Sequence, residues 1–221
     1  MSGVGRSVVD AGAVAANVHA VRERLARVAP GRVVRLVAVT KGFGADAVRA
    51  AIDAGVLDIG ESYVQELEQK LPAFATDELR WHMIGRLQRN KVRRVATSVH
   101  LWQSVDRMEV ASEIARRAPG GSVLIQVNVS GEPNKAGCAP DEATALVAQA
   151  QGLGLDVRGL MTVGLAGAPE LARPGFRLLS RLADDLGLAE RSMGMSDDLE
   201  VAVEEGSTMV RVGRGLFGAR P

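Results

Sequence analysis

The sequence predicts an α/β fold in which one sheet of eight parallel strands closes into a (β/α)8 barrel. Three observations carry that expectation. Strand-like and helix-like segments alternate along the chain, the first strand-like segment is a near-continuous apolar run, and the strand-like segments count to eight within 221 residues. Strands buried on both faces read this way in a parallel sheet, whereas a strand with one wet face alternates. A closed barrel of eight such units usually takes about 250 residues, which leaves nothing of domain size over. Residues 1–221 are therefore expected to form one domain. An open, doubly wound sheet is the competing arrangement of the same units.

The first element is a helix over about residues 8–29, where Val14, Val18, Val21, Leu25 and Val28 recur at helical spacing. That stretch has no compact apolar segment followed by a cleavage site, so it does not read as a signal peptide. The first strand spans 33–40, with Val33, Val34, Leu36, Val37, Ala38 and Val39 apolar in near succession. A helix over 45–54 follows, closed by Gly55, and then the short strand "LDIGES" at 57–62. The later strands are 80–85, 100–105, 122–130, 157–163, 191–196 and 208–213. Of the helical stretches between them, 141–151 and 176–187 are the clearest, the second through Phe176, Leu179, Leu182 and Leu186.

Composition excludes several function classes. No apolar run approaches the ~20 residues of a membrane span. The single cysteine, Cys138, excludes an internal disulfide and fits a reducing compartment, so a cytoplasmic protein is expected. A net charge of +1 gives no global pull toward nucleic acid. The basic run "RLQRNKVRR" at 86–94 reads as a solvated helix face without interleaved aromatics, and nucleic acid is not expected as a partner. No Cys, His and carboxylate cluster has metal-ligand spacing, so no metal is expected. His82 reads as a core histidine and Lys135 as a surface loop lysine. A barrel that closes on itself, with no long exposed apolar stretch, is expected to be a monomer.

Barrel enzymes build their sites at the C-terminal ends of the strands. Those ends carry Lys41, Glu61 with Ser62, Gly85, Ser104, Asn128 with Ser130, Met161 with Thr162, Ser196, and Arg211 with Gly213. Lys41, in "LVAVTKGFG" where the first strand ends, is one of only four lysines among 27 basic residues. A lysine partly desolvated in a barrel mouth has its ammonium form disfavoured, which frees the amine to attack an aldehyde. Glycine-bearing turns after strands seven and eight, "GMSDD" and "RVGRG", suit a phosphate. The residues by themselves leave two ligands open, pyridoxal 5'-phosphate or a sugar phosphate undergoing aldol chemistry.

The segments "AVTKGF", "DIGESYVQE", "WHMIGRLQRNK", "VNVSGEPNKAGC", "GLMTV" and "MGMSDDLEVAVEEGSTMVRVGRGLFGAR" together closely resemble the pyridoxal phosphate homeostasis protein family. The matches run in order from about residue 33 to 220. That family is similar to the isolated N-terminal barrel of alanine racemase, a fold-type III pyridoxal-phosphate barrel without the racemase's second domain. The resemblance implies that Lys41 holds pyridoxal 5'-phosphate as a covalent aldimine. It further implies that Ser196 is a phosphate ligand, that Gly213 and Arg214 offer backbone donors to the same phosphate, that Arg211 faces the pyridine nitrogen, and that Met161 packs against the cofactor. Two positions depart from the family pattern. Ser62 stands where many relatives have asparagine, which replaces an amide contact by a shorter hydroxyl, and Arg214 stands where relatives often have threonine.

The function implied is a pyridoxal-phosphate-binding protein that buffers or delivers the cofactor, and so regulates vitamin B6 and amino-acid balance, with pyridoxal-phosphate-dependent apo-enzymes as partners. An arginine at the pyridine nitrogen discourages its protonation and weakens the ring as an electron sink. A racemase also needs an acid/base opposite the lysine, and the only tyrosine is Tyr63. No catalytic residue and no robust turnover are therefore expected. The alternative is a single-barrel enzyme, similar to an amino-acid racemase, acting on small amino acids.

Overall fold

A computed structural model describes residues 9–74 and 78–220. Eight strands, β1 (Arg35–Val39), β2 (Asp58–Glu61), β3 (Arg80–Met83), β4 (Val99–Val105), β5 (Ser122–Gln126), β6 (Asp156–Met161), β7 (Glu190–Ser192) and β8 (Met209–Val212), form a closed barrel in sequence order. Every neighbouring pair is parallel, and closure is made by β1 against β8, with Val37 opposite Arg211. The open-sheet alternative is thereby excluded.

Nine α-helices are seen among the described residues: α1 (Ala11–Val28), α2 (Ala45–Asp53), α3 (Val64–Lys70), α4 (Arg89–Val92), α5 (Met108–Arg117), α6 (Ala143–Gly152), α7 (Arg173–Asp185), α8 (Leu199–Glu204) and α9 (Arg214–Phe217). Asp10 caps α1 by accepting from the Ala13 amide at 3.1 Å, satisfying one of the free N–H groups of the first turn. Residue 8 of the expected first helix lies outside the described residues. Val14, Val18, Val21 and Leu25 are the buried stripe of α1. The helix lies against α2, α8 and α9. Arg24 anchors it there, pairing with Glu200 at 2.5 Å and donating to the Ser196 carbonyl at 3.3 Å.

Two packed regions result. The larger core lies between barrel and helices, from Leu36, Ala38 and Ile59 round to Val210 and Val212. A small cluster of Val37, Leu101, Leu124, Met161 and Met209 fills the barrel interior. The alternation Leu36, Val37, Ala38 shows the period of two that sends successive side chains to opposite faces of a strand.

Seven of the eight strands are shorter than the sequence suggests, β4 excepted, and three of them show why. Val33 is 95% exposed and β1 begins only at Arg35. Strand 122–130 ends at Gln126, because Asn128 turns the chain: its Nδ2 donates to the Glu132 carbonyl at 2.9 Å, and its Oδ1 accepts from the Ser130 amide at 3.2 Å. Strand 191–196 ends at Ser192, since Gly194 takes φ +94°, a conformation that interrupts an extended strand and favours glycine.

Candidate functional site

The mouth of the barrel, at the C-terminal ends of the strands, holds a cavity of about 380 Å³. Val39 at the end of β1 and Lys41 after it, Ser62 after β2, Arg211 on β8, Ser196 in the β7–α8 loop, and Gly213 and Arg214 after β8 all line it. Lys41 is half-buried. Burial, with the Arg220 and Arg211 guanidiniums nearby, holds its amine below the ordinary lysine range, while Glu61 and Glu66 pull the other way. Its turn requires a glycine: Gly42 has φ +79°, and a Cβ there would meet the Arg220 Cδ at 2.9 Å.

Arg211 is 4% exposed. Its Nη1 donates to Ser192 Oγ and its Nη2 to the Thr162 carbonyl, each at 2.7 Å. Among the described residues it forms no ion pair. Burial pushes its guanidinium down to about 10, only partly offset by Asp198, and the group stays charged at neutral pH. A chain of hydrogen bonds leads away from it through the barrel interior. Ser192 Oγ accepts from Arg211 and donates to Gln103 Oε1 at 2.6 Å, and Gln103 Nε2 lies 2.7 Å from His82 Nδ1. His82 Nε2 lies 2.9 Å from Asp58 Oδ1, and Asp58 receives two bonds from Arg80 at the opposite rim. The glutamine amide can only donate to Nδ1, so that atom is the acceptor and Nε2–H donates to Asp58.

This chain has a stability consequence. Burial holds the His82 pKa below its ordinary 6.5 despite Asp58, and Arg80 and His82 hold Asp58 below the usual carboxylate range despite its own burial. A depressed histidine binds its proton more readily in the unfolded chain, so stability is lost as pH falls from about 6.5 toward the folded value. For Asp58 the loss begins only below the ordinary carboxylate pKa of about 4. Thermal melts between pH 5 and 7 are expected to show this slope in the wild type and a shallower one in His82→Gln, which cannot titrate. Equal slopes would remove His82 as the cause.

Ser196 joins the loops after β7 and β8, its Oγ accepting the Gly215 amide at 3.0 Å, which leaves its own proton free to donate into the cavity. The amides of Gly213 and Arg214 have no backbone partner among the described residues. The Arg214 side chain is exposed and pairs with Asp197.

Comparison with known proteins follows from this architecture. Residues 9–221 match the family described as alanine racemase, N-terminal domain. A pyridoxal phosphate homeostasis protein of Pseudomonas aeruginosa is 45% identical over 212 residues, covering 91% of this chain and 92% of its own. That of Aquifex aeolicus is 41% identical over 198 residues, covering 84% and 87%. This chain belongs to the pyridoxal phosphate homeostasis protein family. Among solved structures, PipY of Synechococcus elongatus with pyridoxal phosphate bound is similar at TM-score 0.80 and 32% identity, covering 93% of this chain and 100% of that one. Alanine racemase of Clostridium difficile shares the fold at TM-score 0.75 and 15% identity, and the chain spans 57% of it.

Within this member of the pyridoxal phosphate homeostasis family, the structure brings together Lys41, Ser62, Ser196, Arg211, Gly213 and Arg214. Met161 is apart from them, 1% exposed in the barrel interior, and Val163 two residues later lines the cavity instead. Sequence reading missed Phe43, Ile84 and Arg220 on the wall, and Ser192 and Gln103 behind Arg211. Thr162 was legible as a strand-end residue. Arg220 carried no signal, since only the fold brings the last residues back over the Lys41 turn. Among the described residues no helix is long and apolar enough to cross a membrane, and no cluster of His, Cys, Asp and Glu could hold a metal.

Proposed function

We propose that this protein binds pyridoxal 5'-phosphate in the barrel-mouth cavity and buffers or delivers it, without robust turnover of its own. The observation that carries this reading is a half-buried lysine with a depressed pKa sharing a cavity with a buried guanidinium that has no carboxylate partner among the described residues. The residues fit the group. A cavity of about 380 Å³ lies in the range of small-ligand sites. Its cationic wall and free N–H and O–H donors suit an anion, and its amine suits an aldehyde. The relatives named for pyridoxal phosphate homeostasis, and the PipY structure with that ligand, support the same ligand here.

When bound, the cofactor supplies an aldehyde and an electron-withdrawing ring. Lys41, whose amine is held toward its neutral form in the cavity, would be the residue that holds the aldehyde end of the group. Ser196 Oγ and the amides of Gly213 and Arg214 hold the phosphate. Arg211 would hold the pyridine nitrogen as a donor, and Ser62 would border the ring. Met161 supports this wall from the core without reaching the cavity. Tyr63 is 58% exposed and lines a neighbouring groove with Arg86, Lys91 and Arg107, so it supplies no acid/base group opposite Lys41. That placement favours a binding role over a racemase.

The protein is read as a cytoplasmic monomer that passes the cofactor to pyridoxal-phosphate-dependent apo-enzymes. Cys138 is buried, which pushes its thiol up to about 11 and makes it a poor nucleophile, so it does not compete for the aldehyde. The deciding experiment is a titration of purified protein with pyridoxal 5'-phosphate followed by visible absorption and by transfer to an apo-enzyme. Saturable uptake with transfer is expected, and a protein that stays colourless refutes the reading.

Ser196 provides a local test. If its hydroxyl donates to a charged phosphate, Ser196→Ala weakens cofactor affinity by roughly 1.5 to 3 kcal/mol, about ten- to hundredfold. Unchanged affinity in equilibrium dialysis would remove Ser196 from the phosphate site.

A further inference from the structure

Behind the cavity wall, in the layer between the barrel and α3, lies a charged cluster that no step above uses. Glu61 is fully buried and Lys70 is 4% exposed. Lys70 Nζ donates to Glu61 Oε1 at 2.5 Å and to the Thr40 carbonyl at 2.8 Å. Thr40 Oγ1 donates to the same Glu61 oxygen at 2.5 Å. On the far side of Lys41, the Gly42 amide donates to Glu66 Oε2 at 2.7 Å, and Glu66 lies 3.9 Å from Lys70.

We propose that Lys70, Glu61 and Glu66 are positioning residues for Lys41, gripping the main chain on both sides of it so that its amine meets an anchored aldehyde in one pose. The inference rests on the cofactor reading above.

Stability alone does not account for the cluster. Buried ion pairs are often no better than well-packed apolar residues of the same volume, because each charge loses its hydration. Here the cost is compounded, since Glu61 Oε2 is buried with no hydrogen-bond partner among the described residues and burial pushes this carboxyl up against the pull of Lys70. What the arrangement does achieve is geometric. Thr40 and Lys41 are consecutive, so their side chains leave opposite faces at the end of β1, one toward α3 and one into the mouth. Fixing Thr40 through its carbonyl and hydroxyl, and Gly42 through its amide, leaves Lys41 little backbone freedom in a turn that otherwise has glycine's flexibility. Holding a reacting group near its attack geometry removes much of the entropic part of a barrier. The charged groups that face the Lys41 amine are Glu61 and Glu66 from the α3 side and Arg211 and Arg220 from the mouth.

The test compares two aldehydes. Pyridoxal 5'-phosphate is anchored by its phosphate and needs the amine in one place, whereas pyridoxal, which lacks the phosphate, can adjust to a displaced amine. The ratio of their rates of attachment to Lys41 therefore reports positioning. Glu66→Leu and Lys70→Met are expected to lower that ratio about fivefold, the worth of one lost hydrogen bond, while Glu66→Gln, whose amide oxygen still accepts from Gly42, stays within about twofold of wild type. Lys70→Met strands a buried carboxylate and can fail to fold, but Glu66 is half-buried and its variants keep the test open. An unchanged ratio in Glu66→Leu, or an equal loss in Glu66→Gln, overturns the proposal. Amide hydrogen exchange at Gly42 in the cofactor-free protein gives a second readout, expected to quicken in Glu66→Leu. Exchange that stays the same also overturns the clamp. A wild-type protein that forms no Lys41 adduct with either aldehyde would instead refute the cofactor reading, leaving the clamp to be judged by exchange alone.

Discussion

Replacing Lys41 by alanine is expected to abolish covalent retention of pyridoxal 5'-phosphate and to weaken total affinity by roughly a hundredfold, about 2.7 kcal/mol. The residual binding should come from the phosphate donors of Ser196, Gly213 and Arg214. The amine that reacts must be neutral, and burial together with Arg220 and Arg211 favours that form. Attachment should accordingly quicken with rising pH and level off below the ordinary lysine pKa of 10.5. Borohydride reduction followed by peptide mapping should place the pyridoxyl group on Lys41. Three other lysines compete on paper. Lys70 is locked behind the wall by Glu61, Lys135 is tied to Glu132 and the Gly164 carbonyl, and Lys91 lines the neighbouring groove. An adduct found mainly on any of these would sink the assignment, and a pH profile still climbing above 10.5 would contradict the depressed amine.

Arg211→Glu is the second large effect. If Arg211 donates toward the ring nitrogen as proposed, that nitrogen gains nothing by taking a proton, and carbanion character at the substrate is poorly stabilised. A carboxylate in the same place accepts instead and favours a protonated ring. Amino acids incubated with the wild type in deuterated solvent should exchange their α-proton far below the roughly 1 s⁻¹ of ordinary enzymes. The variant should exchange at least about tenfold faster while holding cofactor less well. It should also be less stable by about 3 to 5 kcal/mol, since it buries a negative charge against the Thr162 carbonyl and leaves the Ser192 hydroxyl without its donor. Proton NMR reads the exchange directly. Fast exchange by the wild type would restore the racemase-like alternative.

Much of this molecule is legible along the chain. Parallel strands covered by helices are largely apolar on both faces, so β1 and β5 appear as local runs that need no knowledge of their neighbours. Lys41 is legible for the same reason: a charged residue directly after such a run has to sit at a strand end, and in a barrel the strand ends face the site. Strand boundaries are less secure. Val33 continues the apolar pattern of β1 yet is exposed, because a strand starts where its hydrogen-bond partner starts, and β8 meets β1 only from Arg35 onward.

The polar interior was not legible, and the reason is distance along the chain. Arg211 reaches Ser192 within 19 residues, but Ser192 reaches Gln103 across 89, and the three meet because the barrel closes. No pattern of period two or 3.6 records such a contact. Side-chain direction is decided in the same way. Met161 and Val163 point alike by alternation, but only closure determines that the first packs among Val37, Leu101, Leu124 and Met209 while the second borders the cavity. Arg214 turns outward to Asp197, whereas Arg211, three residues earlier, is buried. The sequence by itself determined the order of elements and the rim on which the chemistry gathers, since both follow from local burial. The tertiary structure alone decided which side chains share the cavity and which charges face Lys41, since those depend on strands far apart in sequence being brought edge to edge.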